Sequence, residues 1–493
     1  MTNFSEAEVR KVLMGAMLAM FLAALDQTIV APALPPMARD LGRFDLLSWV
    51  VTSYLLSAIC VTPVVGKLSD LYGRRHLIAI CLVIFMVGSA ACALAPDMNM
   101  LILARALQGI GGGGLIPLAQ AVIGDVVAPR ERGRYAAYFS AVWASSAVLG
   151  PSLGGVLTEQ AGWPWIFWIN LPIGLLALLI SQRALRRLPI EHHKRPPIEI
   201  GTILLLLAGT VSLLAVLSLG GKRLAWTSPT LLALAAAAIV FGGLFAWRQT
   251  RSPDPVLPPR FVHDSVIAPT LAASFIVYGA YLSILVLTPV YFQVALDTSI
   301  SEAGLLMIPI MFASTVTANI TGRFSQRTGR YKLPSLVGLP FAIGALAVMA
   351  YFGSGLSPAV ASALLALVGL GIGPTFPCST VAVQNAVTRR DIGAVSGALA
   401  FTRSLGGAFL IAASSGLALG LVARALPELG AVANIEDLAR ESLSPASRAV
   451  IAQAFGMTFA AVAASLVLSA VFFARVEERA LRTSDEPIKA PGD

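Results

Sequence analysis

Charge is what this sequence has least of. Of its 493 residues, 35 are Lys or Arg and 26 are Asp or Glu, together 12%, about half the share of an ordinary soluble domain. With 57% of residues hydrophobic and a mean hydropathy of +0.79, too few polar side chains remain to cover a water-exposed surface. A soluble enzyme, a disordered scaffold and a nucleic-acid binder are excluded on that ground, despite a net charge of +9. Cysteine is also scarce: Cys60, Cys81, Cys92 and Cys378 all lie in apolar runs without a Cys-x-x-Cys spacing, and read as small core residues. The four histidines, His76, His192, His193 and His263, fall in loops without ligand partners at metal spacing, so no metal site is expected. No G-x-x-x-x-G-K-[ST] sequence exists, which argues against an ATP-driven pump.

What the chain has in quantity is long apolar runs. Fourteen of about 20 residues lie near 12–33, 47–66, 77–96, 100–123, 135–158, 164–182, 199–219, 229–247, 266–290, 303–322, 333–352, 357–383, 393–421 and 449–474. The first lacks a small-residue cleavage pattern and contains Asp26, so it reads as a retained span and not as a removable signal peptide. An isolated strand would leave backbone groups unsatisfied in hydrocarbon, so the runs must be helices. The fold class is therefore an all-α polytopic membrane protein with fourteen transmembrane helices. Alternating the spans places 26 basic residues in one set of loops, including both termini, and only seven in the other; Arg105 and Arg403 lie inside spans. By the positive-inside rule both termini face the cytoplasm.

The second half of the chain repeats the first. Gly66-Lys-Leu-Ser69-Asp70-Leu-Tyr-Gly73-Arg74-Arg75 recurs 256 positions later as Gly322-Arg-Phe-Ser325-Gln326-Arg-Thr-Gly329-Arg330-Tyr331. At an offset of 260, Gly109, Gly111, Gly113, Pro117, Val127, Arg130 and Gly133 meet Gly369, Gly371, Gly373, Pro377, Val387, Arg390 and Gly393. Two motifs in the same order indicate two pseudo-symmetric six-helix bundles, spans 1–6 and 9–14, with spans 7 and 8 inserted between them. The organisation expected is an N-terminal bundle (1–182), linkers with the inserted pair (183–265), a C-terminal bundle (266–474) and a cytoplasmic tail (475–493). Duplicated bundles around a central site are the architecture of secondary transporters. The glycines at 109–114 formally match G-x-G-x-x-G, but they follow no strand and recur in span 12, which identifies helix packing and not a dinucleotide site.

These motifs resemble those of the major facilitator superfamily, and specifically its fourteen-span drug:proton antiporter branch, over almost the whole chain. Gly66, Asp70, Gly73, Arg74 and Arg75 look like the family's loop 2–3 signature, and Arg105-Ala-Leu-Gln108-Gly109 like its fourth-span motif. Gly150-Pro151-Ser-Leu-Gly154-Gly155 looks like the fifth-span antiporter motif, Leu25-Asp26-Gln27-Thr28 like the first-span motif, and Trp163-Pro164-Trp165 with Asn170-Leu-Pro172 like the sixth-span signature. Two departures stand out: Ala31-Pro32 replaces the usual Asn-Val, placing a kink near the outer end of span 1, and Pro164 replaces the usual Arg. The resemblance implies the major facilitator fold, with residues 66–75 as an inter-bundle gate and the fifth-span face as a seal between bundles.

The residues that carry chemistry are few. Asp26 is the one acidic residue well inside a span, about 10 Å from its outer end, and Arg105 enters span 4 to a similar depth. Intramembrane charge is costly and usually functional, so a proton-coupling pair is expected here; the structural alternative is an ion pair locking span 1 to span 4. Asp70 can cap a helix N-terminus, with Arg130, Arg132 and Arg134 as candidate partners. Arg403 sits roughly 15 Å deep in span 13, where it could bind an anionic substrate group, pair with Asp26 across the cavity, or snorkel to water. Gln108, Tyr54, Trp143, Tyr278 and Phe401 are the remaining cavity candidates, with Tyr138 and Tyr281 as further aromatics.

The function expected is a proton-coupled antiporter that exports amphipathic drugs or other small molecules by alternating access in a bacterial-type inner membrane. It would use no cofactor beyond the coupling proton. Its partners are then the small-molecule substrate and the lipid bilayer, with no nucleic acid, and it acts as a monomer that periplasmic or outer-membrane components could join. The alternatives are an exporter of a dedicated anionic, lipid-like or siderophore-like compound and, from another class, a non-transporting membrane sensor on the same fold.

Overall fold

A backbone buried in hydrocarbon must satisfy its own N–H and C=O groups, and the computed structural model meets that demand with helix after helix. It describes residues 6–43, 46–127, 129–187, 199–220, 227–252, 255–388, 391–426 and 444–481. The fourteen long helices are α1 (Glu6–Ile29), α2 (Leu47–Tyr72), α3 (Arg74–Ala93), α4 (Met98–Val126), α5 (Pro129–Gln160), α6 (Asn170–Ala184), α7 (Ile200–Leu219) and α8 (Pro229–Arg251), followed by α9 (Ile267–Ala295), α10 (Ile308–Thr328), α11 (Leu333–Phe352), α12 (Pro358–Ile372, continued by Thr375–Asn385), α13 (Ile392–Ala425) and α14 (Pro445–Arg475). Thirteen spans among the described residues are long and apolar enough to cross a membrane; α5, at 32 residues, supplies the fourteenth.

Local chemistry sets several boundaries. Asp97 accepts hydrogen bonds from the backbone of Asn99 (2.9 Å) and Met100 (3.0 Å), capping the helix that carries Arg105. Ser357 and Ser444 cap α12 and α14 in the same way. Past α1 the first span turns through a 3₁₀ segment, Ala31–Ala33, into a short helix, Leu34–Leu41. Pro32 and Pro35 have no N–H to give, and the kink expected at Ala31-Pro32 is where the span bends.

The duplication seen in the sequence reappears as duplicated packing. α1 packs against α5 and α6, as α9 packs against α13 and α14; α4 lies on α2 and α3, as α12 lies on α10 and α11. The glycine rows make this possible. A methyl group at Gly111 would sit 2.6 Å from the Cys81 carbonyl oxygen, and one at its repeat, Gly371, 2.6 Å from the Gly338 carbonyl oxygen. In each half the backbone of the central helix therefore touches its neighbours, which rules out a side chain there and any bound dinucleotide.

The inserted helices α7 and α8 pack on each other, and α7 leans on α2 and α13. α8 is peripheral, with Ile239 76% exposed, as a lipid-facing helix should be. At the ends of this pair Glu199 accepts from Thr202 (2.7 Å) and Ser252 (2.9 Å), and these bonds hold its carboxyl below the usual range. Lys222, Arg223, His192, His193 and most of the 183–197 connector lie outside the described residues.

Candidate functional site

Asp26 projects from α1 into the middle of the first half, where five helices supply its surroundings. Its Oδ2 accepts from Arg105 Nη1 at 2.7 Å, and its Oδ1 from Gln108 Nε2 at 2.8 Å and Asn170 Nδ2 at 2.9 Å. Gln108 Oε1 in turn accepts from Arg105 Nη1 at 2.6 Å. Ser89 on α3 accepts from both Gln108 (2.6 Å) and Asn170 (2.9 Å). Arg105 Nε donates to the Val50 carbonyl at 3.2 Å, and the Tyr54 ring lies 4.3 Å from its guanidinium carbon. Asp26 and Gln108 are fully buried, and Arg105 is 1% exposed. Two opposite charges withdrawn this far from water persist only with good geometry and further hydrogen bonds. This network supplies partners to both Asp26 oxygens and to Arg105 Nε and Nη1, leaving Asn170 Oδ1 without one among the described residues.

The pairing of Asp26 with Arg105 was legible from their equal depth. The placement of Gln108 and Tyr54 was not: both were expected in a substrate cavity, and both belong to the sealed network. Asn170 and Ser89 were missed. Asn170 stood in the sixth-span motif, and Ser89 is a polar residue in the middle of an apolar helix, so each carried a signal that only spatial proximity turns into a role.

A second cluster lies where the two halves meet. Asp70, near the end of α2, accepts from the backbone N–H of Gly393 (2.9 Å) and Ala394 (2.7 Å) in the first turn of α13. Those donors have no partner inside their own helix, and the helix dipole favours a negative charge at that end. Arg74 completes the site: it pairs with Asp70, and its Nε meets Asp125 Oδ2 at 2.9 Å. Gly73, at φ +88°, makes the turn that brings Arg74 back over Asp70, and its repeat Gly329 adopts φ +74°. The turn is thus duplicated, while the carboxylate is not, because Gln326 stands at the equivalent position. Arg130, Arg132 and Arg134, the candidate partners of Asp70, have side chains outside the described ones.

Around this point the halves close tightly. A Cβ on Gly66 would lie 3.0 Å from Gly397 Cα. Gln384 Nε2 donates across the junction to the Gln120 carbonyl and, within its own half, to Ser396 Oγ, both at 3.1 Å, while Arg260 of the linker pairs with Asp391 just ahead of α13 at 2.6 Å. Replacing Gly66 by Val should prise this closure apart, since backbone cannot yield as a flexible side chain would. Maleimide labelling of a cysteine placed at Ser396, which is 1% exposed, should then rise from negligible to rapid in the Gly66→Val background. Unchanged protection would show that the contact tolerates bulk.

The Major Facilitator Superfamily model matches residues 16–411. The chain belongs to that superfamily. It is 34% identical over 397 residues to the multidrug transporter protein MdtP of Bacillus subtilis, covering 80% of this chain and 72% of that protein. It is 33% identical over 409 residues to multidrug resistance protein 3 of the same organism, covering 82% and 78%. The crystal structure of the human organic anion transporter MFSD10 superposes over 95% of this chain and all of that one, with a TM-score of 0.65 at 18% identity, a likeness of fold. A member of this superfamily is a membrane transporter and not an enzyme.

Within this transporter, the remaining expected residues separate. Gly150 and Gly154 pack on Thr28 and Ile29 of α1, while nothing lies within 4 Å of a Cβ built on Gly155. Thr28 Oγ1 donates to the Ser146 carbonyl at 2.8 Å. Those two glycines therefore join α5 to α1 inside the first half, and Pro151 lies on the same helix; α5 also packs on α10 and α12 of the second half, so it lines the junction together with residues 66–70 and 393–397. Arg75 was grouped with the gate, yet its Nε donates to Gln182 Oε1 at 2.9 Å, tying α3 to α6. Trp143 packs half-buried against the first-half core, and Phe401 is half-buried on α13.

Arg403 is not paired with Asp26. Its Nη2 donates to the Phe376 carbonyl (2.9 Å), Ser379 Oγ (2.6 Å) and Thr380 Oγ1 (3.4 Å) on α12. The Phe376 ring lies 5.8 Å from its guanidinium carbon, and Tyr278 and Tyr281 meet that ring edge-on at 6.1 and 5.7 Å.

Proposed function

We propose that this protein is a proton-coupled antiporter that exports amphipathic small molecules from the cytoplasm across the inner membrane. The observation that carries the reading is the sealed Asp26–Arg105 pair, a fully buried carboxylate joined to a buried guanidinium inside the first half. A proton arriving on Asp26 removes the negative partner of Arg105. The guanidinium then keeps Gln108 Oε1 and the Val50 carbonyl but loses its counter-charge, and an unpaired buried charge is worth several kcal/mol of instability. A conformation that wets Arg105 relieves that cost. Protonation and conformation are coupled in this way without any direct contact between proton and substrate.

The second element is the gate. With the termini in the cytoplasm, as the basic loops favour, the closure of residues 66–70 on 393–397 shuts the cytoplasmic end. Rocking of residues 1–182 against 266–474 would exchange it for a closure at the outer end. Names of similar proteins, multidrug transporter MdtP and multidrug resistance protein 3, support export of diverse compounds as the direction and the cargo. The functional unit in this reading is the monomer, because each half already contributes one side of the path.

The test is the purified full chain in liposomes with an imposed pH gradient and a panel of cationic, neutral and anionic amphipathic dyes. Dye movement that follows the gradient, and proton movement that follows a dye gradient, are both expected. Dye movement that ignores the pH gradient would refute the coupling. Absence of movement across the whole panel would refute the export reading.

A further inference from the structure

We propose that Arg403 and the aromatic side chains beside it form a subsite for the acidic group of the transported molecule, so that the preferred substrates carry an anionic group on an aromatic or apolar body. This rests on the transport reading above and specifies its substrate class.

The first argument is charge. The two buried arginines of the first half, Arg105 and Arg74, face aspartates. Arg403 faces three neutral oxygens through one nitrogen, and among the described residues nothing accepts from its Nε or Nη1. A half-buried guanidinium with half of its bidentate-ready fork unused is a site that a carboxylate or sulfonate completes.

The second argument is position. Ser396, seven residues before Arg403 on α13, accepts from the same Gln384 amide that reaches the Gln120 carbonyl of the first half. Seven residues are two turns, so Arg403 stands on the same face of α13 about 10 Å above that closure. On α12, Phe376 and Thr380 precede Gln384 by eight and four residues and share its face. α12 therefore presents these residues toward the first half, and Arg403 lies against them from α13, above the closed gate where a substrate must sit. Tyr278 and Tyr281, edge-on to Phe376, give a flat apolar body a wall to lie against. The acidic group and the aromatic body are thus read by neighbouring parts of one site.

The experiment compares two probes of one shape: 2-naphthoate, ionised at pH 7, and its neutral amide, 2-naphthamide. Binding to the purified full chain is measured by calorimetry for wild type, Arg403→Gln and Arg403→Lys, with thermal unfolding confirming that each is folded. Wild type is expected to bind the naphthoate at least about tenfold more tightly than the amide, the worth of one charge-assisted bond. Arg403→Gln should lose that preference and leave amide affinity unchanged. Arg403→Lys, a point charge without the fork, should keep part of it, and decides the question if the Gln variant does not fold. Equal binding of both probes by wild type overturns the subsite, as does an undiminished preference in Arg403→Gln. A naphthoate preference that depends on Arg403, in protein that moves no dye in liposomes, would uphold the subsite and refute the transport reading alone. Gradient-driven dye transport with no naphthoate preference would do the reverse.

Discussion

Asp26→Asn should abolish coupling: in proteoliposomes, proton-driven dye movement falls to the protein-free background, while the protein still folds and inserts. The asparagine keeps the volume but presents an NH₂ group where an oxygen accepted either from Arg105 Nη1 or from Gln108 and Asn170. Either way a donor faces a donor, and Arg105 remains charged without a counter-ion. Breaking a buried pair from one side costs about 3–5 kcal/mol, so thermal stability should drop as well. A double variant, Asp26→Asn with Arg105→Gln, separates the two consequences. It removes the uncompensated charge, so much of the lost stability should return, but no titratable group remains and transport should stay at background. Full coupling in folded Asp26→Asn protein would show that the proton binds elsewhere and that the pair is only a structural lock between α1 and α4.

The second large effect is expected at the gate. Asp70→Ala strips two N–H groups in the first turn of α13 of their acceptor and leaves Arg74 with Asp125 and the Ser69 hydroxyl. Charge-assisted bonds of this kind contribute about 1.5–3 kcal/mol each, so losing two should move the balance between conformations by roughly two to four powers of ten toward the state open at this end. Spin labels at Leu94 and Tyr351, exposed at the far ends of α3 and α11, would report it: as the gate opens, the outer ends approach and the short-distance population grows. The native cysteines are buried, so labelling can be directed to the introduced sites. An unchanged distance distribution would mean that the glycine contact between α2 and α13 holds the closure by packing alone. The matching change in the repeat, Gln326→Ala, should leave the distribution nearly as it is, because that position has no carboxylate to lose.

Most of the fold was readable in one dimension. A membrane span is a matter of about 20 apolar residues in succession, and hydrophobicity adds up along the chain without reference to anything distant. The fourteen expected runs accordingly fall on α1 to α14, even for α5, the most polar of them. The repeat was readable for a similar reason, since a glycine row such as 109–113 or 369–373 records close helix approach in the local sequence. The depth of Asp26 and Arg105 was countable at a fixed rise per residue, and equal depth in one bundle was enough to bring them together.

What counting residues along a helix does not supply is azimuth relative to distant neighbours. Whether Gln108 faced a substrate or Asp26 depended on how α4 is rotated against α1, and the rotation is fixed by glycines that let α2 and α3 approach α4. Asn170 and Ser89 joined the site for the same reason. The partners of Asp70 were the sharpest case: besides Arg74, four residues on, the groups that meet it are backbone amides 323 and 324 residues away. No side-chain motif announces a free helix N-terminus, because every helix has one. The low charge content defined this protein as a membrane transporter candidate and picked out Asp26, Arg105 and Arg403. Only the tertiary structure decided that the first two neutralise each other, while the third has no carboxylate beside it among the described residues, since compensation between charges acts through space and not along the chain.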